Sequence, residues 1–165
     1  MESSVTHLNE AESASPGISP GVVNDDEVIL RELYEPYHIC NDTLKLTSVS
    51  LTELRETGFS VHRKTYVNLD VIRNAIKMRL SRIRKEPWMS AGVAEILTMD
   101  VRKIVDANND RLLVVIDTAT DTNRGHASIY ASQPEKGDAH ARKVRTYLME
   151  LLSKRKSLEE VYHHA

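Results

Sequence analysis

The amino-acid sequence predicts an α+β domain in which a mainly antiparallel sheet is packed by two amphipathic helices. Three observations support this prediction. Residues 111–132 combine an apolar run of strand length, a polar turn and an alternating segment. The pattern of residues 59–67, with apolar residues around a polar stretch, indicates a further extended segment. Two other segments, beginning near Asn68 and Asp138, repeat apolar residues at the spacing of one helix face.

The predicted hairpin comprises residues 111–132. Residues 112–116 are all apolar and rich in β-branched side chains, which favours a central strand that is covered on both faces. The short polar side chains of residues 118–125 bond to the local backbone and indicate a loop. Residues 126–131 alternate in polarity, with the period of a strand that has two unlike faces. We therefore expect two antiparallel strands, the first in the middle of the sheet.

Two amphipathic helices are expected to cover this sheet. The first begins at Asn68 or Asp70, whose side chains can accept hydrogen bonds from the first amides of a helix, and it ends before Pro87. The second begins near Asp138. Their buried stripes are Ile72, Ile76, Leu80 and Ile83 in the first helix, and Ala141, Val144, Leu148, Leu151 and Leu152 in the second.

A shorter helix is predicted from capping residues. Ser50 and Glu53 have the spacing of a capping box, and Gly58 stands where a helix C-cap belongs, so residues 51–57 should form one short helix. Residues 28–34 fit a strand or two helical turns equally well.

The chain of 165 residues suits one domain with a tail at each end. Nine of residues 1–25 are serine, proline or glycine, and this segment carries too few apolar groups to offset an ordering entropy of roughly 1 to 2 kcal/mol per residue. We expect residues 1–25 to be a disordered tail and residues 26–156 to form a single α+β domain. Residues 157–165 are expected to fray.

The composition limits the classes of protein. Lysine and arginine number 22 and aspartate and glutamate 24, so a formal charge of -2 provides no overall attraction for nucleic acid or anionic membranes. The single cysteine, Cys40, excludes an internal disulfide and a thiolate zinc cluster, which suits the reducing cytoplasm. No stretch approaches the 18 or more apolar residues that a membrane span requires. We expect a cytoplasmic protein that needs no cofactor and does not enter a membrane.

The candidate catalytic residues are His126 and Asp117, joined by His62 and His38. The hairpin brings an imidazole and a carboxylate to the same end of the sheet, where they could act as a general base and its orienting acid. The alternative is a hydrogen bond that closes the loop. Three histidines are also suitable zinc or iron ligands, but no metal-binding spacing is present, and we predict no metal.

The candidate nucleic-acid-binding residues lie on the helix of residues 68–86. Its cations could each neutralise a phosphate and make binding salt-dependent. The alternative is that they form the solvated side of an amphipathic helix. These residues are Arg73, Lys77, Arg79, Arg82, Arg84 and Lys85.

Four short segments resemble a family of short bacterial proteins of unassigned function. They are LYEPYHI, LTSVSL, GFSVHRKTYV and NRGHASIY, and the last precedes a basic amphipathic helix. The shared features are a Ser-Val pair and a late His-Ala strand, and the resemblance covers residues 27–152. The family has a histidine before the proline, whereas here Tyr37 and His38 follow Pro36. The resemblance implies a compact bacterial cytoplasmic domain and no particular reaction.

The sequence favours a small non-catalytic bacterial accessory or regulatory protein that acts through protein–protein interaction. Recognised catalytic motifs are missing, while two charged helices and a flexible tail offer docking surfaces. One alternative is a nucleic-acid-binding accessory protein that uses the helix of residues 68–86. The other is a small enzyme centred on His126 and Asp117, which convergence of His38, His62 and His126 in one pocket would favour.

Overall fold

The predicted α+β fold is confirmed. Over residues 8–83 and 87–163, which the computed structural model describes, the chain forms a six-stranded antiparallel sheet with helices on both faces. The strands are β1 (Val28–Glu35), β2 (Ile39–Cys40), β3 (Thr43–Leu44), β4 (Phe59–Arg63), β5 (Met89–Leu97), β6 (Leu113–Asp117), β7 (His126–Ala131) and β8 (Arg155–Lys156). The helices are α1 (Leu69–Arg82), α2 (Thr98–Arg102), α3 (Gly137–Leu151) and α4 (Leu158–Tyr162).

The strand order in the main sheet is β6-β7-β4-β1-β5-β8, and β2 and β3 form a separate hairpin. Because side chains alternate along each strand, the sheet has two apolar faces. The upper face, as we call it, carries Leu30 and His62, which pair across β1 and β4. The lower face carries their neighbours Ile29 and Arg63. The upper-face core is Leu30, Tyr34, Val67, Ile72, Ile76, Val93, Leu158 and Val161, and the larger lower-face core includes Ile29, Phe59, Val61, Ile129, Val144 and Leu148.

Both predicted amphipathic helices are present. In α1, the Asn68 side chain accepts a hydrogen bond from the Val71 amide at 2.9 Å, and Ile72 and Ile76 are buried on the upper face. In α3, which covers the lower face, Ala141, Val144 and Leu148 form the buried stripe. Within the described ranges, no helix has the length and apolarity that crossing a membrane requires.

The predicted capping box also forms. The Glu53 amide donates to the Ser50 hydroxyl at 3.0 Å, and the Ser50 amide donates to the Glu53 carboxylate at 3.3 Å. The helix that follows is wound as a π-helical turn, Glu53–Thr57, and Gly58 ends it with a φ of +90°. Local capping chemistry therefore located this element correctly.

The valine-rich strand β6 lies at an edge of the sheet, so the predicted central position is wrong. The middle of the sheet is occupied by β4 and β1. Residues 112–115 are nevertheless no more than 6% exposed. At the outer edge of β6, the Val115 amide donates to the Glu12 carboxylate at 2.8 Å, and Arg102 donates to the Val115 carbonyl at 3.3 Å. An apolar run thus predicted burial correctly. On the side away from β7, however, the strand is covered by the side chains of Glu12 and Arg102 rather than by another strand.

The N-terminal segment differs from the expected disordered tail over residues 8–25. Glu12 and Val23 are fully buried against the body of the protein. The Glu12 carboxylate lies 2.9 Å from Arg102 and 2.6 Å from Arg111. Composition could not reveal this docking, because one glutamate and two distant arginines produce it. Residues 1–7 lie outside the described part of the chain.

The C-terminal segment also differs from the expected frayed end. Ser157 and Glu160 form a capping box at the start of α4, and Leu158 and Val161 are buried on the upper face. The Tyr162 hydroxyl donates to the backbone carbonyl of residue 67 at 2.9 Å. A short helix is stable here because its apolar side chains are buried.

Gly92 provides a test of the junction between β5 and β8. Its φ is +88°, and a Cβ atom built on it would lie 2.3 Å from the Lys156 carbonyl oxygen. We expect Gly92→Ala to lower the free energy of unfolding by about 2 kcal/mol, because a side chain is strained there and β8 must move. Urea unfolding measures the change. Gly17→Ala is the matched control, since no atom would lie within 4 Å of the new Cβ, and it should change stability by less than about 0.5 kcal/mol. Equal stabilities of the two variants would contradict this account of the junction.

Candidate functional site

Two of the predicted histidines lie side by side on the upper face of the sheet. His62 of β4 is the cross-strand partner of His126 of β7. The Arg63 amide donates to the Gly125 carbonyl at 2.7 Å, so the adjacent pair, His62 and His126, is of the non-hydrogen-bonded kind. In such pairs the Cα atoms are about 4.5 Å apart and the side chains are closest. The sheet therefore brings together two imidazoles that are far apart in the sequence.

His62 is held by the buried carboxylate of Glu32, which is not among the predicted site residues. His62 Nε2 lies 2.5 Å from Glu32 Oε2, and the Tyr34 hydroxyl donates to the other oxygen of the same carboxylate. On the opposite side of the ring, the Asn123 amide nitrogen donates to Nδ1 at 3.0 Å. Because Nδ1 accepts a hydrogen bond, the proton of the neutral ring is on Nε2, where it points at Glu32.

Charges around Glu32 keep its carboxylate ionised. Burial works to raise the pKa of Glu32, but the hydrogen bond from His62, with help from Tyr34 and Arg79, outweighs it and holds the pKa below its usual value. Arg79 Nε lies 3.8 Å from the carboxylate. Burial and the charge of Glu32 raise the pKa of Tyr34. Near neutral pH the site therefore contains a carboxylate that accepts hydrogen bonds and a neutral phenol that donates one.

His126 is held in the tautomer that leaves Nε2 unprotonated. Its Nδ1 lies 3.1 Å from the Thr118 carbonyl oxygen and 2.7 Å from the Thr118 hydroxyl. A carbonyl only accepts, so Nδ1 carries the proton of the neutral ring. Within the described part of the chain Nε2 has no hydrogen-bond partner, yet it is not among the buried polar atoms that lack one. In this half-buried residue Nε2 is therefore accessible to solvent. Burial lowers the pKa of His126, and the hydrogen bond to Thr118 opposes that effect only in part.

His38 belongs to the same network through Tyr34. Its Nδ1 accepts a hydrogen bond from the Tyr34 amide at 3.1 Å, and its ring packs against neighbouring aromatic rings. Burial and the positive charges of two nearby arginines lower the pKa of His38 to about 3. His38 is therefore a neutral side chain that orders the strand carrying Glu32 and Tyr34.

Asp117 lies on the other face of the sheet. Its cross-strand partner is Ala127, the neighbour of His126, so strand alternation directs its carboxylate to the lower face. There it accepts hydrogen bonds from the Ala119 amide at 3.0 Å and from the Ser19 hydroxyl, and it lies 3.6 Å from Arg63. The structure does not bring Asp117 to His126. Both occupy the same end of the sheet, as expected, but opposite sides of it.

Two of the predicted nucleic-acid-binding cations of α1 form ion pairs with carboxylates of the protein itself. Arg73 lies 2.9 Å from Glu159, and Arg79 lies 3.8 Å from Glu32 with its guanidinium over the Tyr34 ring. Lys77 and Arg82 are exposed. Arg84 and Lys85 fall outside the described residues. Nucleic-acid binding by this helix stays a prediction, with fewer uncommitted cations than the sequence suggested.

A cavity of about 460 Å³ opens between α1 and the loop that joins β6 to β7. The carboxamides of Asn74 and Asn123 and the carboxylate of Asp70 line it, together with the aliphatic side chains of Val71 and Met78. Asn123 is also the residue that donates to His62. A molecule bound in the cavity would therefore be separated from His62 by one side chain. No group of His, Cys, Asp and Glu suited to holding a metal ion occurs among the residues described.

Comparisons of this chain with protein-family models, with curated proteins and with solved structures find no match.

The low pKa of His38 predicts how stability depends on pH. The pKa is about 3 in the folded state against 6.5 ordinarily, so the unfolded chain binds the proton more tightly. The contribution to stability is complete above pH 6.5 and is lost as the pH falls from 6.5 toward 3. In that window we expect the free energy of unfolding to fall by about 1.4 kcal/mol per pH unit from this group.

His38→Asn provides the comparison, because its carbonyl oxygen can still accept from the Tyr34 amide but does not titrate. Urea unfolding at about pH 7 and about pH 5 should show a smaller loss of stability in the variant than in the original chain. An identical loss in both proteins would refute the assignment of His38 as a buried neutral side chain.

Proposed function

We propose that the protein is a small enzyme that moves protons to and from a bound substrate, with His126 as general base and His62 as general acid. The observation that carries this proposal is the side-by-side pairing of two imidazoles whose hydrogen bonds differ. His126 presents a lone pair on Nε2, and His62 is backed by a charged carboxylate. Two adjacent titratable groups in unlike environments are the usual basis for dividing acid and base roles.

His126 is prepared to accept a proton without moving. Its Nδ1 proton is already directed at the Thr118 carbonyl, so the doubly protonated ring would keep that hydrogen bond. Its lowered pKa keeps the ring in the basic form near neutral pH. Such pre-orientation avoids reorganisation during the reaction.

His62 is arranged to deliver a proton toward the cavity. Its Nε2 proton already donates to Glu32, so a second proton has to be on Nδ1, which faces Asn123. Asn123 in turn lines the cavity between α1 and the β6–β7 loop. The Glu32 carboxylate would balance the charge of the doubly protonated ring, and the Asn123 side chain would move aside so that the Nδ1 proton reaches the substrate directly.

The cavity indicates the kind of substrate. Its described lining combines carboxamides, one carboxylate and aliphatic groups, with no lysine or arginine. Its volume, about 460 Å³, lies within the range of small-molecule sites. We propose a small polar substrate that is uncharged or cationic and that presents hydrogen-bond donors to Asp70 and the asparagine amides.

Ligand screening followed by turnover measurements tests this function. A library of small amides, amines and nucleosides is screened by nuclear magnetic resonance for compounds that shift the signals of Asn74 and Asn123. For a compound that is turned over, we expect His126→Asn to lower kcat by about 100-fold or more, and to change its Kd by less than about threefold. The rate should increase with pH through a midpoint below 6.5, the ordinary pKa of histidine.

His140→Asn is the matched control, because His140 is on α3 against the lower face and should leave kcat unchanged. The enzyme proposal fails if no compound binds in the cavity. It also fails if turnover is the same in His126→Asn as in the original chain.

The accessory-protein function is the second candidate, and an exposed apolar patch favours it. Leu46 and Met89 are 63% and 65% exposed, and Trp88 stacks on the partly exposed Tyr37 with 4.6 Å between ring centroids. The Thr47 hydroxyl donates to the Tyr37 carbonyl, which ties these segments together at one end of the sheet. Exposed aromatic and aliphatic groups of this kind are typical of protein interaction sites.

Co-purification from the native host tests the second candidate. A partner present in stoichiometric amount should be lost from Leu46→Lys with Met89→Lys and retained by Met78→Lys, which alters an exposed methionine on α1. The same partners bound to both variants would exclude the patch. Both candidate functions are proposed for the bacterial cytoplasm, where a reducing environment keeps the exposed Cys40 thiol free.

A further inference from the structure

The outer edge of β6 is closed by charged side chains instead of a strand. The Val115 amide and carbonyl both point away from β7, and an uncovered strand edge would leave them unpaired. The amide donates to Glu12 Oε2 at 2.8 Å, and the carbonyl accepts from Arg102 at 3.3 Å. Glu12 and Arg102 thus replace the two hydrogen bonds that a neighbouring strand would make.

The Glu12 carboxylate is enclosed by donors. Arg111 donates to one oxygen at 2.6 Å and to the other at 2.8 Å, and Arg102 Nε donates at 2.9 Å. The Asn9 amide completes the set at 3.0 Å. Burial works to raise the pKa of Glu12, but the hydrogen bonds of Arg111, Val115 and Arg102 lower it to about 2. The carboxylate is therefore ionised at any physiological pH and fits a site built for a negative charge.

The segment that supplies Glu12 is held by little else. Within residues 8–18, Glu12 is the buried side chain, and every residue from Ser13 to Ile18 is exposed. This exposed stretch contains Pro16 and Gly17 and links the Glu12 anchor to Ser19, which is half-buried. Release of the segment would therefore require the contacts of one side chain, Glu12, with Arg102, Arg111 and the edge of β6 to break, and the residues that would act as the hinge are already exposed.

We propose that Arg102, Arg111 and the outer edge of β6 form a receptor for a short acidic segment wound as a 3-10 turn, filled here by residues 9–13 of the same chain and equally well by those of a second copy. Arg102, Arg111 and Val115 could make the same contacts with the Glu12 of a second copy. Only the exposed stretch of residues 13–18 would follow a different path. Exchange of one element between identical chains is a low-cost route to a dimer. In dilute solution the chain's own segment is favoured, because its effective concentration is of millimolar order.

A separated receptor and segment test this proposal directly. The chain from Ser19 onward is mixed with a fluorescent peptide of residues 6–18, and binding is followed by anisotropy. We expect saturable one-to-one binding, and a peptide with Glu12→Gln should bind about tenfold more weakly or worse, because it loses charge-assisted hydrogen bonds. The peptide with Glu10→Gln is the matched control, since Glu10 is exposed, and it should bind like the original sequence.

The proposal is overturned if the shortened chain is folded by circular dichroism and no peptide binds, or if the two altered peptides bind equally. If the shortened chain does not fold, the test is the oligomeric state of the full chain. It is measured by sedimentation at about 1 mM, after warming and slow cooling. Exchange predicts a dimer for the original chain and for Glu10→Gln but not for Glu12→Gln. A chain that stays monomeric, or a dimer that persists in Glu12→Gln, refutes the exchange.

Discussion

The buried guanidinium groups of Arg63 and Arg102 determine how the N-terminal residues meet the sheet. Arg63 holds the Glu27 carboxylate at 2.7 Å and the carbonyl of Gly21 at the same distance, while Arg102 holds Glu12 at 2.9 Å. A guanidinium that is removed from water needs acceptors for its donors, or its burial is strongly unfavourable. Each arginine therefore requires a particular piece of the N-terminal segment. The segment in turn covers the edge of β6, which otherwise would be open.

The buried Arg63 also influences which carboxylate contacts the histidine pair. His62 and Arg63 are neighbours on β4 and point to opposite faces. Arg63 lies 3.6 Å from Asp117 on the lower face, so that carboxylate is committed there. On the upper face, Glu32 takes the position against His62 instead. The candidate site thus results from strand alternation on β4 combined with the charge requirement of the buried arginine beneath it.

Particular residues show how far sequence reasoning reached. Asn68 as helix cap, the Ser50–Glu53 capping box and the hairpin around residues 118–125 were predicted, since each depends on residues a few positions apart. His62 and His126 were proposed as site residues, but their pairing depends on strand register. Glu32 was missed, although its place between two apolar neighbours of its own face is a signal. A charged residue on the buried side of a strand needs a partner.

The sequence by itself determined the α+β class, the positions of both long helices and the turn-bounded hairpin, because helix caps and apolar periodicity act within one or two turns of chain. Only the tertiary structure decided that β6 lies at an edge, that the N-terminal residues dock on it, and that Glu32 rather than Asp117 faces a histidine. These contacts join residues from 30 to 103 positions apart. They depend on strand order and register, and a register shift of one residue would move every side chain of a strand to the other face.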